Sequence, residues 1–508
     1  MASEASENLG AWTRQVLTYS ALTLSLTVLF KYLLSSRAPK NIPPVPVRPY
    51  PILGHLPYLK KGMRKQIEEW KNSTGEIFSL YFASKLVVVL SSYDMIYQGY
   101  VKNGETLSDR PASMSTNAVG EDPNRGIMLS QGPLWKEQRT VSLHILKAFG
   151  MGKNILALKI NEEVSVYLNA LSELSDPASG LRLLTKTAIS NILCSILVGQ
   201  RFEYGDPFYV NFMDKSEELM RLSQNSSLFT LFPWLRHLPG DLFNAKKRIQ
   251  TYRSLMDSFC YHYIEKTKND DSTFDNENFI SAYLREKKRL ETKGQNTTLD
   301  EGNLAKCMFH LLLAGVDTTT TTIQWFMLYM LHHPDVQSKI FAEISDVVGT
   351  ERAPNMHDKI KLNYTVASIM EAQRMSIFIF SVPHASSADT VINGYTIPAG
   401  TTVLANFDSF LLSEDIYKDP KEFRPERFID AQGNLTQPEQ FQPFGLGRRA
   451  CPGEALAKME LYLFLSALIQ RFELRPAVPD ELPTLDPIES TVLFPKPFQI
   501  KFVDRRRV

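Results

Sequence analysis

Apolar residues recur at helical spacing over most of this chain. The longest such stretches run from Leu304 to Leu331 and from Glu454 to Phe472, and each predicts a long helix. The first is interrupted by Ala314-Gly315-Val316-Asp317-Thr318-Thr319-Thr320-Thr321-Thr322, where glycine and β-branched threonines are poor choices for a helix interior. Strand-like patterning marks two regions. Glu76 to Ser91, with Leu86-Val87-Val88-Val89-Leu90, predicts a hairpin-like sheet edge, and Val391-Ile392-Asn393-Gly394-Tyr395-Thr396 carries an Asn-Gly hairpin signal. Asn269 to Asn278 is polar and predicts a solvated loop. The expected class is therefore mainly α with a smaller β region (α+β).

The N-terminal pattern is different. Val16 to Leu34 is mostly apolar and barely long enough to span a bilayer as a transmembrane helix. A cleaved signal peptide would begin basic, but Glu4 and Glu7 outnumber Arg14 here. Lys31, Arg37, Lys40 and Arg48 follow, which places the C-terminal side in the cytosol by the positive-inside bias. Prolines 43, 44, 46, 49 and 51 then form a hinge. The expected organisation is an anchor over 1–36, a basic, proline-rich hinge over 37–53 and a single domain over 54–508. On that topology the sequons at Asn225 and Asn296 face the cytosol and stay idle.

Composition narrows the class. A net charge of +1 over 508 residues implies no polyanionic partner, hence no nucleic acid. Cys194, Cys260, Cys307 and Cys451 are scattered, three of them in apolar stretches, which predicts buried thiols in a reducing compartment and no disulfide frame. The chain has no G-x-S-x-G, H-E-x-x-H or C-x-x-C, and Gly152-Lys153-Asn154 fails as a P-loop.

The chemistry concentrates in Phe444-Gly445-Leu446-Gly447-Arg448-Arg449-Ala450-Cys451-Pro452-Gly453. Cys451 stands in a tight turn before a predicted helix, where free backbone N–H groups and the helix dipole favour a thiolate. Such a thiolate suits the single axial position of a haem iron; the neighbouring arginine suits a propionate, and the glycines let the backbone pass under a flat ring. The same letters fit G-x-G-x-x-A, a dinucleotide fingerprint. That reading needs a buried strand before the loop, and Gln440-Phe441-Gln442-Pro443 is not one. In the threonine-rich segment, the Thr318 hydroxyl can take the Ala314 carbonyl and loosen the helix. A carboxylate followed by a hydroxyl, Asp317-Thr318, can relay protons there.

The cysteine loop resembles that of the cytochrome P450 family, whose pattern F-x-x-G-x-R-x-C-x-G is met at Phe444, Gly447, Arg449, Cys451 and Gly453. The family's A-G-x-D-T-T segment is met from Ala314 to Thr319. Its E-x-x-R pair is met at Glu371 and Arg374, and its P-E-R-F segment at Pro425 to Phe428. The resemblance implies a cytochrome P450 fold binding haem b, with Cys451 as the iron ligand and Asp317 and Thr318 as the proton-delivery pair. Ala314 and Gly315 would leave room for oxygen. It further implies a structural Glu371–Arg374–Arg427 network, and propionate contacts from Trp135, Arg139, Arg449 and His384. Ile377-Phe378-Ile379-Phe380 departs from the proline common in the group, which bears on the substrate wall.

By the same resemblance the protein is a monooxygenase inserting one atom of O2 into a lipophilic small molecule. Its electrons come from NADPH through the FAD/FMN NADPH-cytochrome P450 reductase, with cytochrome b5 a further candidate partner. Lys136, Arg448 and Lys458 are candidate docking contacts. The expected place is the endoplasmic reticulum membrane, single-pass, with the catalytic domain on the cytosolic face. The pocket would be lined by residues 113–128, 228–232, 309–314, 381–382 and 491–493. Two rival readings are a haem–thiolate isomerase or dehydratase that uses no oxygen, and a non-catalytic haem sensor or electron carrier. Members of the first kind tend to lose the acid–alcohol pair that this chain keeps.

Overall fold

The computed structural model describes residues 41–111, 124–151, 154–174, 177–223, 238–269, 278–376, 382–488 and 493–507, with isolated positions between 12 and 27 and between 231 and 235. Val16 to Leu34 thus lies largely outside the described residues; positions 16, 18–20, 22, 23 and 25–27 are helical. No helix among the described residues is long and apolar enough to cross a membrane. Residues 270–277 of the expected loop, the departure at 377–380 and much of the expected pocket wall also lie outside them.

The chain forms two compact units. The first combines residues up to Leu107 with Pro383–Asn406. It holds α1 (Met63–Thr74), β1 (Ile77–Phe82), β2 (Lys85–Leu90), β3 (His384–Ala385), β4 (Thr390–Ile392), β5 (Tyr395–Ile397) and β6 (Thr402–Ala405). The apolar run read from the sequence becomes β2, which pairs antiparallel with β1 from Ile77↔Leu90 to Phe82↔Lys85. Long-range pairing extends it into a sheet of order β1-β2-β6-β3, with β2 and β6 parallel. Val87 to Leu90 are buried, as a strand covered on both faces requires. The Asn-Gly signal makes the β4–β5 turn: Asn393 has φ 48° and Gly394 φ 79°, the left-handed pair of a tight hairpin.

The second unit, Ser108–Val382 with Phe407–Val508, is mostly helical. Its helices used below are α2 (Gly132–Ala148), α3 (Asn154–Glu173), α4 (Pro177–Leu197), α5 (Pro207–Ser223), α6 (Ala245–Leu255), α7 (Glu301–His332), α8 (Asn363–Met375) and α9 (Glu454–Arg471). Short strands β7 (Phe472–Pro476) and β10 (Ile500–Asp504) pair antiparallel, as do β8 (Pro487–Ile488) and β9 (Phe494–Pro495). α7 is the axis of the unit, packed by α4, α8 and α9, and most of its length is buried. Asp300 caps it by accepting from the Asn303 N–H at 2.6 Å.

The expected interruption of α7 does not occur: the helix runs unbroken from Glu301 to His332. Its hydroxyls fold back instead. Thr318, Thr321 and Thr322 donate to the carbonyls four residues earlier, at 2.8, 2.7 and 3.0 Å. Burial then overrides weak propensity. Gly315 serves packing, since a Cβ there would lie 2.7 Å from Leu193 Cδ1 on α4.

Candidate functional site

Cys451 is placed by two left-handed glycines. Gly445 (φ 80°) and Gly447 (φ 73°) turn the chain, the Cys451 N–H donates to the Phe444 carbonyl at 2.9 Å, and Gly453 leads directly into α9. The thiol is solvent-accessible on one side and walled by protein on the others. That mass raises its pKa; the Gly453 and Glu454 N–H groups and the Arg139 cation pull the other way. Desolvation thus outweighs the helix terminus, whose N–H groups still favour a thiolate. Coordination to a metal ion would remove the proton outright.

α2 carries Trp135 and Arg139 to this loop on one face, one turn apart. Arg139 Nη2 donates to the Ala450 carbonyl at 2.6 Å. The Arg449 guanidinium lies 3.8 Å from the centre of the Trp135 ring, and Arg448 lies 5.9 Å from it. Arg449 directs its donors to backbone: to Ser108 at 2.7 Å, Ser130 at 2.6 Å and Ile127 at 3.4 Å. Burial, then repulsion from Arg110, Arg139 and Arg448, holds its pKa well below the ordinary value, with Asp109 opposing. A guanidinium does not deprotonate, so the shift reads as cation crowding. Trp135 Nε1 is buried with no hydrogen-bond partner among the described residues. A lone thiol, a crowd of arginines and an orphaned indole N–H make a donor set suited to a metal-centred ring bearing two carboxylates. Haem b fits it.

On α7, Ala314 is exposed and Leu313, Gly315 and Thr318 are half-buried, while Val316, Asp317 and Thr319 are buried. The Asp317 carboxylate lies 2.9 Å from Lys186 Nζ and 3.5 Å from Arg182 Nη2, both on α4. Asp317 also borders a small, partly open cleft lined by Lys186, Phe212 and Met213 of α5, Phe309, Leu313 and Val316. Asp317 and Thr318 thus face different partners. Lys186 and Arg182 were missed; their signal is a basic i, i+4 pair inside the apolar run of α4. Glu460 on α9 was missed too. It is 2 % exposed, accepts from Thr319 Oγ1 at 3.2 Å, and burial pushes its pKa up to about 8.

Glu371 and Arg374 on α8 are fully buried and paired at 2.7 and 2.8 Å, and Arg427 Nε joins Glu371 at 2.9 Å. Arg374 also donates to the Leu411 and Pro420 carbonyls at 2.9 and 2.8 Å. Phe444 takes Lys458 Nζ 5.5 Å from its ring centre, and Lys458 pairs with Glu454 at 2.6 Å. Lys136 and Arg448 are exposed. His384 belongs to the first unit, where Nδ1–H donates to the Leu107 carbonyl at 2.7 Å and the ring stacks on Tyr100 at 3.8 Å.

Known proteins bear directly on this arrangement. The cytochrome P450 family profile matches residues 43–502. The chain is 33% identical to cytochrome P450 2U1 of Rattus norvegicus over 94% of both chains, and 34% identical to cytochrome P450 2U1 of Homo sapiens over 92% of this chain and 90% of that protein. It is 34% identical to cytochrome P450 2D20 of Mesocricetus auratus over 98% of this chain and 99% of that one. With matches of this extent, the chain belongs to the cytochrome P450 family, the haem–thiolate monooxygenases that bind haem b through a cysteine.

Proposed function

We propose that this protein is a membrane-anchored monooxygenase of lipophilic small molecules in which Cys451 is the haem ligand. The carrying observation is the set around that thiol: crowded arginines, and a buried indole N–H without a partner among the described residues. When bound, haem b supplies the iron at which oxygen is reduced. Trp135 Nε1–H and Arg139 would meet its propionates, while Arg449 braces the loop against residues 108, 127 and 130. Ala314, exposed on α7, would leave space beside the bound haem. Thr318 offers a hydroxyl held by the Ala314 carbonyl, and Asp317 keeps a carboxylate in reach of the partly exposed Arg182. An acid–alcohol pair serves oxygen chemistry, which favours this reading over an oxygen-independent isomerase.

The chain has no flavin or nicotinamide motif, so the electrons come from an NADPH-dependent flavoprotein reductase, with cytochrome b5 a second candidate. Exposed Lys136 and Arg448 beside the cysteine loop suit an acidic docking face. Membrane attachment rests on Trp12, Val16, Tyr19, Leu22 and Leu26, helical and exposed. The charge bias after them puts the domain on the cytosolic face, and likeness to the cytochrome P450 2 proteins supports the endoplasmic reticulum. Phe309, Leu311, Leu312 and Leu313 of the expected pocket wall are apolar, which suits a lipophilic substrate.

The test is the carbon-monoxide difference spectrum of the ferrous protein. Wild type should show the thiolate band; Cys451→Ser and Cys451→His should lose it. A surviving band in either variant would move the ligand elsewhere. Product formation with reductase and NADPH then separates a monooxygenase from a sensor.

A further inference from the structure

His310 lies one turn before Ala314 on α7, so His310, Ala314 and Thr318 share one helix face. Its side chain is 6 % exposed. The Met128 N–H donates to Nδ1 at 3.4 Å, and an N–H can be accepted only by a ring nitrogen without a proton. In the neutral ring the proton therefore sits on Nε2. Burial, then the charge of Lys306, lowers the ring's pKa to about 3, so it stays neutral at physiological pH.

The ring is also clamped. Gly126 (φ +71°) lies against it so closely that a Cβ there would come 2.7 Å from Nδ1. The loop carrying Gly126 is fixed to α7: the Gly126 N–H donates to Asn303 Oδ1 at 3.0 Å, and Arg125 pairs with Asp300 at 2.8 Å. Nε2–H makes no hydrogen bond to any described residue. That nitrogen is not among the buried atoms left without a partner, so the N–H is a donor open to a ligand.

We propose that the His310 Nε2–H orients the substrate by donating to a carbonyl-type oxygen on an otherwise apolar molecule. This rests on the reading of the Ala314–Thr318 face as the oxygen side, and it adds a substrate class to that reading. An ammonium is excluded twice: it has no lone pair to accept with, and Lys306 repels it. The anchor sits one turn from Ala314 and two from Thr318, roughly 6 and 12 Å along the helix. Oxidation is then directed to a carbon remote from the anchored oxygen.

The full-length ferric holoenzyme is titrated with 2-tridecanone and with tridecane, following the spectral shift on binding, in wild type, His310→Phe and His310→Asn. The ratio of the two dissociation constants should favour the ketone about tenfold more in wild type than in His310→Phe. His310→Asn, whose amide can accept from Met128 and still donate, should restore most of it. Hydroxylation of 2-tridecanone should fall toward the chain end distant from the carbonyl in wild type and spread in His310→Phe. An unchanged ratio between wild type and His310→Phe overturns the inference. If wild type itself lacks the thiolate band with carbon monoxide, the site reading fails instead.

Discussion

Lys186 of α4 places its ammonium 2.9 Å from Oδ1 of Asp317, with the two side chains only 4 and 9 % exposed. The carboxylate expected to work beside Thr318 is therefore neutralised from the neighbouring helix. Removing one partner of a buried pair strands the other charge, a loss of about 3–5 kcal/mol. Lys186→Met should lower holoprotein stability on that scale. Lys186→Met combined with Asp317→Asn should cost much less than the two changes added. Chemical denaturation of the four proteins, followed by the thiolate spectrum, measures the coupling; simple additivity would show that Arg182 alone satisfies Asp317.

Thr318 makes a different case. Its hydroxyl donates to the Ala314 carbonyl, which also accepts the helix N–H, so Thr318→Ala strands nothing. Stability should change by less than about 0.5 kcal/mol. Coupling should not be spared: NADPH consumed should appear as hydrogen peroxide more than as product. Unaltered product per NADPH would take Thr318 out of proton delivery.

The two cases mark how far the sequence could be read. Local features were legible, since period and turn chemistry act over a few residues: α7, α9, the β1–β2 hairpin and the Asn393-Gly394 turn came from patterning alone. The turn before Cys451 was legible because its loop packs rare choices into ten positions, and Gly445 and Gly447 are left-handed there. Illegible was whatever depends on packing distant segments. β6 joins β2 in parallel from more than 300 positions away. Lys186 meets Asp317 across α4 and α7. Gly126 clamps His310 because residues 124–130 lie along α7. The unbroken course of α7 through Gly315 was hidden for the same reason: packing by Leu193 replaces what propensity lacks.

Glu371 should be among the least replaceable residues. It is fully buried and accepts from Arg374, Arg427 and the Arg424 N–H. Glu371→Gln keeps the shape but leaves buried guanidiniums without a counter-charge, costing about 3–5 kcal/mol. Little holoprotein should accumulate on expression. Arg427→Lys, with the pair Glu371–Arg374 intact, should be milder. Comparable haem content in Glu371→Gln and wild type would contradict a structural role for the network.

Glu460 gives a pH prediction with a definite sign. Burial raises its pKa from 4.5 to about 8, so the folded protein holds a proton that the unfolded chain releases. A raised pKa contributes stability that is whole below 4.5 and is lost as pH rises toward 8, at about 1.4 kcal/mol per pH unit. Above pH 8 the folded state ionises too and the slope from this group ends. Glu460→Gln keeps a neutral acceptor for Thr319 and removes the titration. Wild type should therefore lose melting temperature between pH 5.5 and pH 8 more steeply than Glu460→Gln, the two converging toward the acid end. Parallel curves across that range would mean that Glu460 is ionised in the folded protein and that its unpartnered Oε1 is satisfied by some other group.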